Sequence, residues 1–178
     1  AAAAGARVVR EPKRGYGAAC LAGLAMCSDA EVVAFLDADF SEEPEQLRDL
    51  LAPIESGDAD LVLGSRVGVG RPWHALLGTR VCVTAINLLW GTRYRDLGPF
   101  RAIRRSALDA LGMVDGTWGW TIEMQVKAAE VGLRTIEIPV RTKPRIGQSK
   151  ISGTLSGTAK AAARMVAVIA GLRLTRGR

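Results

Sequence analysis

Apolar residues in this chain come in short blocks set apart by glycine, proline and charge, each about the length of one strand or helix. "EVVAFL", residues 31 to 36, is a continuous apolar run of strand length, the pattern of a strand covered on both faces. "ADLVLGSR", residues 59 to 66, predicts a second buried strand. Between them Ser41 reads as a helix N-cap, with Pro44 and acids in the first turn of a helix reaching about Leu51. Upstream, "ARVVREP" predicts a short strand ended by Pro12, and "GAACLAGLAMC", residues 17 to 27, an Ala-rich helix. Strand, helix, strand at this rhythm points to a parallel α/β sheet.

After residue 66 the pattern changes. "GVGRP" is a loop, and residues 73 to 90 predict a longer helix. "FRAIRR" predicts a strand, followed by a short helix from Ser106. Residues 119 to 131 predict an amphipathic helix, "TIEIPVRT" a strand and "KPRIGQSK" a basic loop. A final helix, Thr154 to Leu174, places Met165, Val166, Val168, Ile169 and Leu172 on one arc, with Lys160 and Arg164 opposite. That arc suits either core packing or a membrane surface. The longest uninterrupted apolar run, Met165 to Ala170, is too short to span a bilayer.

Charge adds a polarity that the hydrophobic pattern does not show. The net charge is +6, yet residues 31 to 60 hold ten of the eighteen acids, and from Arg141 onward there are nine basic residues and no acid. The C-terminal third therefore suits anions: phosphates or an acidic membrane surface. Nucleic acid is set aside, because the four tryptophans are not interleaved with basic residues and no nucleic-acid motif is present. The N-terminus lacks the features of a signal peptide. Three cysteines without metal-type spacing read as reduced thiols of a cytoplasmic protein.

Residues alternate faces along a strand, so Asp37 and Asp39 point one way and Ala38 the other. They follow a parallel strand at its carboxyl end, where open α/β sheets bind ligands. Two readings stand: a capped turn, or two hard oxygen ligands for Mg²⁺ or Mn²⁺ bridging to a diphosphate. Lys143, Arg145, Ser149 and Lys150 around Gly147 could fold about an anion or form a solvated loop. The glycines of "KRGYGAAC" could bring helix N–H groups near a phosphate or simply make a tight turn. Glu123 could be a base beside Trp118 and Trp120, or a partner of Lys127. Asp96 lies among Arg93, Arg95 and Arg101, which makes an ion pair its default role, and the lone His74 reads as structural.

Taken together, "GYGAA", "FLDADFSEEPE", "DLVLGSR", "DLGPFRAIRRSAL", "GWTIEMQVKAAEVGLRTIEIPV" and "RIGQSKIS" resemble the family 2 glycosyltransferases, in the family's order and over nearly the whole chain. Within the family they look most like the polyprenyl-phosphate sugar transferases. The resemblance implies a glycosyltransferase-A fold: α/β, with a mixed, mainly parallel sheet flanked by helices and without the first strand-helix-strand unit. It implies a partial catalytic domain over 1–152 and an amphipathic helix with a basic tail over 153–178. It further implies that Asp37 and Asp39 bind Mg²⁺ or Mn²⁺ and the diphosphate of a UDP- or GDP-sugar. Arg145, Ser149 and Lys150 would close over the phosphates, while Asp96 and Glu123 would line the acceptor side. The acceptor would be a lipid phosphate, whose oxygen needs no strong base, or a hydroxyl, for which Glu123 is the candidate base. The enzyme would work at the cytoplasmic membrane face and invert the anomeric centre.

Two departures go with the resemblance. Ser41 stands where that branch often has Gln, and the family's opening strands, on the order of 60 residues, have no counterpart here. These departures allow a second reading, a non-catalytic remnant binding anionic lipid or a partner. A third is a nucleotidyltransferase, which also uses paired acids on an α/β sheet.

Overall fold

The computed structural model describes residues 1–67, 73–144, 146 and 155–175, the last segment with side chains from 163 to 174. Four strands form one sheet: β1 (Val32–Phe35), β2 (Leu61–Val67), β3 (Arg101–Arg104) and β4 (Thr135–Arg141), in the order β1-β3-β2-β4. Strand β3 pairs antiparallel with β1 and with β2, whereas β2 and β4 run parallel from Leu61↔Thr135 to Val67↔Arg141. Thus β1, β2 and β4 point the same way and β3 alone is reversed. The sheet is mixed, as expected, but two of its three pairings are antiparallel, because the reversed β3 lies between β1 and β2.

Alternation along the central strands divides the core in two. Leu61 and Leu63 of β2 and Ile103 of β3 face α3 (Trp73–Trp90) and α5 (Trp120–Glu130), where Cys82, Ile86, Trp120, Ile122 and Met124 are buried. Val62 and Ala102 face the other way, onto Leu50 and Ile54 of α2 (Leu47–Glu55). Helices therefore cover both faces of β2, the environment its unbroken apolar run demands. Pro139 sits on β4, at the sheet's edge, where a missing N–H is tolerated.

Three local expectations are corrected. Strand β1 is buried on one face only: Val33 and Phe35 pack into the core on the α3–α5 side, while Ala34, on the other face, is exposed. Residues 6–12 form no strand and are exposed; their β-branched residues find no ladder to join. Ser41 caps no helix. A 3-10 turn at Pro44–Gln46 leads into α2, and neither start has a side-chain cap.

The predicted Ala-rich helix forms as α1 (Tyr16–Leu24), and α4 (Arg105–Leu111) follows β3. Gly15, just ahead of α1, and Gly17, in its first turn, serve packing. A Cβ on Gly17 would stand 1.9 Å from Asp115 O, and one on Gly15 would stand 2.0 Å from Gly116 O. The N–H groups of Gly17 and Ala18 donate to Thr117 O and Gly116 O, each at 3.0 Å. Those donors serve a neighbouring loop, so the phosphate alternative for this stretch falls away.

The last helix, α6 (Leu155–Thr175), packs Met165, Val168, Ile169 and Leu172 against the core; Val166 is exposed. Cys82 Sγ lies 3.9 Å from Met165 Sδ, and the Arg173 guanidinium sits 5.9 Å from the Trp90 ring centroid. These contacts are equally spaced along both helices, so α3 and α6 run parallel. The boundary at residue 152 lies outside the described residues. On its outward side α3 exposes Trp73, Leu76, Leu77, Val81, Leu88 and Leu89.

Candidate active site

The period-two pattern of β1 runs on past its last paired residue. Val33 and Phe35 are buried, Asp37 and Asp39 half-buried, and Ala34, Leu36, Ala38 and Phe40 exposed. Both aspartates therefore turn toward the protein and Ala38 turns away. Asp39 Oδ1 accepts the Ser41 N–H at 3.0 Å, which tightens the turn. Phe40 inside that turn has φ 61°, a conformation costing an unbranched non-glycine residue about 1 kcal/mol or more, and it is largely exposed.

A third carboxylate joins the pair. Glu42, read from sequence as an ordinary first-turn acid alongside Glu43 and Glu45, is buried. Its Oε2 accepts the Asp37 N–H at 3.0 Å. Burial pushes its carboxyl up to about 7, and the charges of Asp37 and Asp39 add to that, while the Asp37 N–H and Arg66 oppose it. Glu43 does behave as an ordinary acid, pairing with Lys143 at 3.0 Å and Arg141 at 3.3 Å.

Two described residues of the basic stretch, Lys143 and Ile146, bond to this turn. Lys143 N donates to Ser41 O at 2.8 Å and Ile146 N to Asp39 O at 2.9 Å, and Glu42 and Thr142 form a β-bridge. Arg145, Ser149 and Lys150 lie outside the described residues.

Asp96 forms an ion pair, though with none of its sequence neighbours. Its partner is Arg66 at the end of β2, with Nε–Oδ2 at 2.7 Å and Nη2–Oδ1 at 2.8 Å. Arg66 also feels Glu42 and Asp37, which ties this pair to the acidic cluster. Arg101, closer to Asp96 in sequence, is fully buried and donates instead to the Gly98 and Thr121 carbonyls and Gln125 Oε1; burial lowers it to about 10. Arg66 and Glu42 are the site residues that sequence reasoning missed.

Glu123 makes its bonds to a different set of residues. Its carboxylate is buried on α5, accepts the N–H groups of Val114 and Asp115, and meets Lys127 Nζ at 2.7 Å. It fastens the loop against which Gly15 and Gly17 pack. His74 meets Trp73 edge-on at 5.8 Å. Beside the cluster, a groove of about 360 Å³ runs between α1 and β1, lined by Tyr16, Cys20, Leu24, Phe35 and Leu36 among others.

Asp37 and Asp39 offer hard oxygens, the donor type that Mg²⁺ and Mn²⁺ prefer. Among the described residues no three His, Cys, Asp or Glu side chains converge to hold a metal ion. Two carboxylates fit such a cation when phosphate and water supply its remaining ligands.

A family model described as glycosyl transferase family 2 matches residues 2–112. An uncharacterized glycosyltransferase of Mycobacterium tuberculosis is 41% identical over 162 residues, covering 89% of this chain and 73% of that protein. The polyprenol monophosphomannose synthase of Mycolicibacterium smegmatis is 33% identical over 157 residues, 82% of this chain and 59% of that protein. Undecaprenyl-phosphate mannosyltransferase of Micrococcus luteus is 30% identical over 167 residues, 84% and 66% of the two chains. Among solved structures, glucosyl-3-phosphoglycerate synthase from M. tuberculosis, in complex with Mn²⁺, UDP-glucose and phosphoglyceric acid, superposes with a TM-score of 0.78 at 20% identity. The match covers 97% of this chain and 62% of that one, and it shows the fold.

Proposed function

The chain belongs to glycosyl transferase family 2, and we propose that it moves a sugar from a nucleotide-diphospho-sugar to a polyprenyl phosphate. The observation that carries this reading is the stitching of the basic loop to the Asp37–Asp39 turn through Lys143 and Ile146. Lys143 and Ile146 bond to the turn whose carboxylates suit a cation, and they belong to a stretch whose composition suits phosphates. The lipid acceptor is supported by the names of the Mycolicibacterium and Micrococcus relatives. It is also supported by the uncovered apolar face of α3, which suits work at the cytoplasmic face of a membrane.

In this reading Asp37 and Asp39 hold Mg²⁺ or Mn²⁺. The cation, when bound, offsets charge on the departing diphosphate. Arg145, Ser149 and Lys150 orient the donor's phosphates through charged and hydroxyl donors. An oxygen of the lipid phosphate forms the new bond to the anomeric carbon as the bond to the diphosphate oxygen breaks on the opposite face, which inverts the centre. That oxygen is already ionised near neutral pH, so no residue has to remove a proton. Arg66 and Asp96 lie on the acceptor side, Asp96 holding the Arg66 guanidinium in a fixed orientation.

The test mixes the protein with Mn²⁺ and a UDP- or GDP-hexose and reads its melting temperature. A rise of roughly 2–4 °C is expected, absent when Asp37 and Asp39 are both replaced by Ala. An equal rise in that variant refutes the cation assignment. With labelled donor and undecaprenyl phosphate, label should enter the organic phase; label that stays in water-soluble products refutes the lipid acceptor.

A further inference from the structure

Glu42 is only 4% exposed, and one of its oxygens satisfies a backbone N–H while the other satisfies nothing. Oε2 holds Asp37 N at 3.0 Å; Oε1 is buried with no hydrogen-bond partner among the described residues. A buried carboxylate oxygen without a donor is costly, on the order of 1–3 kcal/mol, and native structures fill such positions or use them. Two features keep Glu42 in place. Its backbone is bridged to Thr142 at the foot of the basic loop, and its neighbour Ser41 is bonded to Lys143 N. Arg66 turns its Nε and Nη2 to Asp96 and does not bond this oxygen. Among the described residues, the charges that bear on Glu42 are those of Asp37, Asp39 and Arg66, so the idle oxygen lies within reach of the carboxylate pair.

We infer that Glu42 is the third carboxylate of the cation seat, a positioning residue that fixes Asp37 through Oε2 and accepts a hydrogen bond from the cation's water shell through Oε1. This rests on Asp37 and Asp39 being the cation's seat. Glu42 acts at one remove because no three acidic side chains among the described residues converge to ligate directly. Mg²⁺ and Mn²⁺ sites commonly keep several waters, and carboxylates that hold such waters set affinity. The geometry also explains why a carboxylate stands here at all. Holding Asp37 N needs one oxygen, which a glutamine would supply equally well, whereas the second oxygen has a use only when a donor arrives.

The experiment is a titration of the full chain with Mn²⁺ alone, read by the loss of the free-ion EPR signal, with the melting temperature of each variant measured in parallel. Glu42→Gln keeps an acceptor for Asp37 N and removes the charge. It should melt at or above the parent's temperature and bind Mn²⁺ about tenfold more weakly. Glu42→Asp keeps the charge on a shorter arm and should recover part of that loss. Glu45→Gln, exposed and nearby, should bind as the parent does. If Glu42→Gln binds Mn²⁺ as tightly as the parent while Asp39→Asn binds weakly, Glu42 is a loop fastener and the inference fails alone. If Asp39→Asn also binds as the parent does, or the parent binds no Mn²⁺, the cation seat fails and takes the inference with it. Should Glu42→Gln melt well below the parent, Glu42→Asp decides: affinity no better than that of Glu42→Gln overturns the inference.

Discussion

Arg66 holds Asp96 by Nε and Nη2 at 2.7 and 2.8 Å, and its backbone N–H donates to the same carboxylate at 3.0 Å. Asp96 is 4% exposed, and it also accepts the Leu97 N–H at 2.8 Å. Removing one partner of a buried pair takes from the other a large part of its compensation. Arg66→Ala should therefore lower stability by about 3 kcal/mol, measured as a shift in urea midpoint at constant slope. Arg66→Lys keeps a charge without the planar fork and should recover only part of the loss. An unchanged midpoint for Arg66→Ala would show that the pair adds nothing to stability.

Two glycines of α1 give opposite expectations. Gly17 has Asp115 O where a Cβ would go, at 1.9 Å, and that oxygen belongs to backbone that cannot easily shift. Gly17→Ala should cost about 3 kcal/mol or more, as overpacking against a fixed neighbour does. Gly23 has nothing within 4 Å of the same atom. Gly23→Ala should stabilise the helix by up to about 1 kcal/mol. Thermal melts of the two variants beside the parent settle both signs.

What the sequence made legible was local. The alternation through Val33, Phe35, Asp37 and Asp39 is a property of one short segment, and the structure continues it unbroken beyond β1. The helix over 73–90 was likewise readable, because its ends coincide with loop signals. Glu42 was not, since it is bridged to Thr142, some hundred residues on, and feels the charge of Arg66 on another strand. Glu42, Glu43 and Glu45 look alike in sequence, and only the tertiary neighbours separate them. Asp96 shows the same limit: three arginines stand close to it in the chain, but the sheet delivers a fourth. Residues 6–12 mark the reverse case, strand propensity with no ladder to express it.

Asp60 gives a pH dependence with a definite sign. It accepts Arg134 Nε at 3.0 Å and Nη2 at 2.8 Å, bonds that hold its carboxyl below the usual range. A group with a depressed folded pKa contributes stability fully above its unfolded value, about 3.9, and loses it as pH falls through the folded pKa. Asp60→Asn should thus be less stable than the parent at pH 7, by about 1 kcal/mol or less for a pair this exposed. The gap should close below about pH 4. Melts from pH 7 to pH 3 check it, and a gap that stays constant with pH would place its origin outside this ion pair.

Helix α3 is apolar on both sides. Cys82, Val83 and Ile86 are buried in the core, while Trp73, Leu77, Val81 and Leu88 form a stripe along the outward face. No helix among the described residues is long and apolar enough to cross a membrane, so this stripe meets a surface if it meets lipid at all. The helix carries no acid, and a depression of about 530 Å³ at its start is lined by Trp73, Leu76 and Leu77 together with Arg80 and Arg95. Apolar side chains rimmed by arginines and a tryptophan suit the headgroup region of an anionic bilayer. Co-sedimentation with vesicles should therefore rise with anionic lipid content and fall with salt. Leu77→Glu should weaken it about tenfold, and Arg80→Glu about fivefold or more, with melting temperatures near the parent's because both side chains are exposed. Binding that ignores lipid charge and survives both changes would remove the membrane from this face and leave α3 for a protein partner.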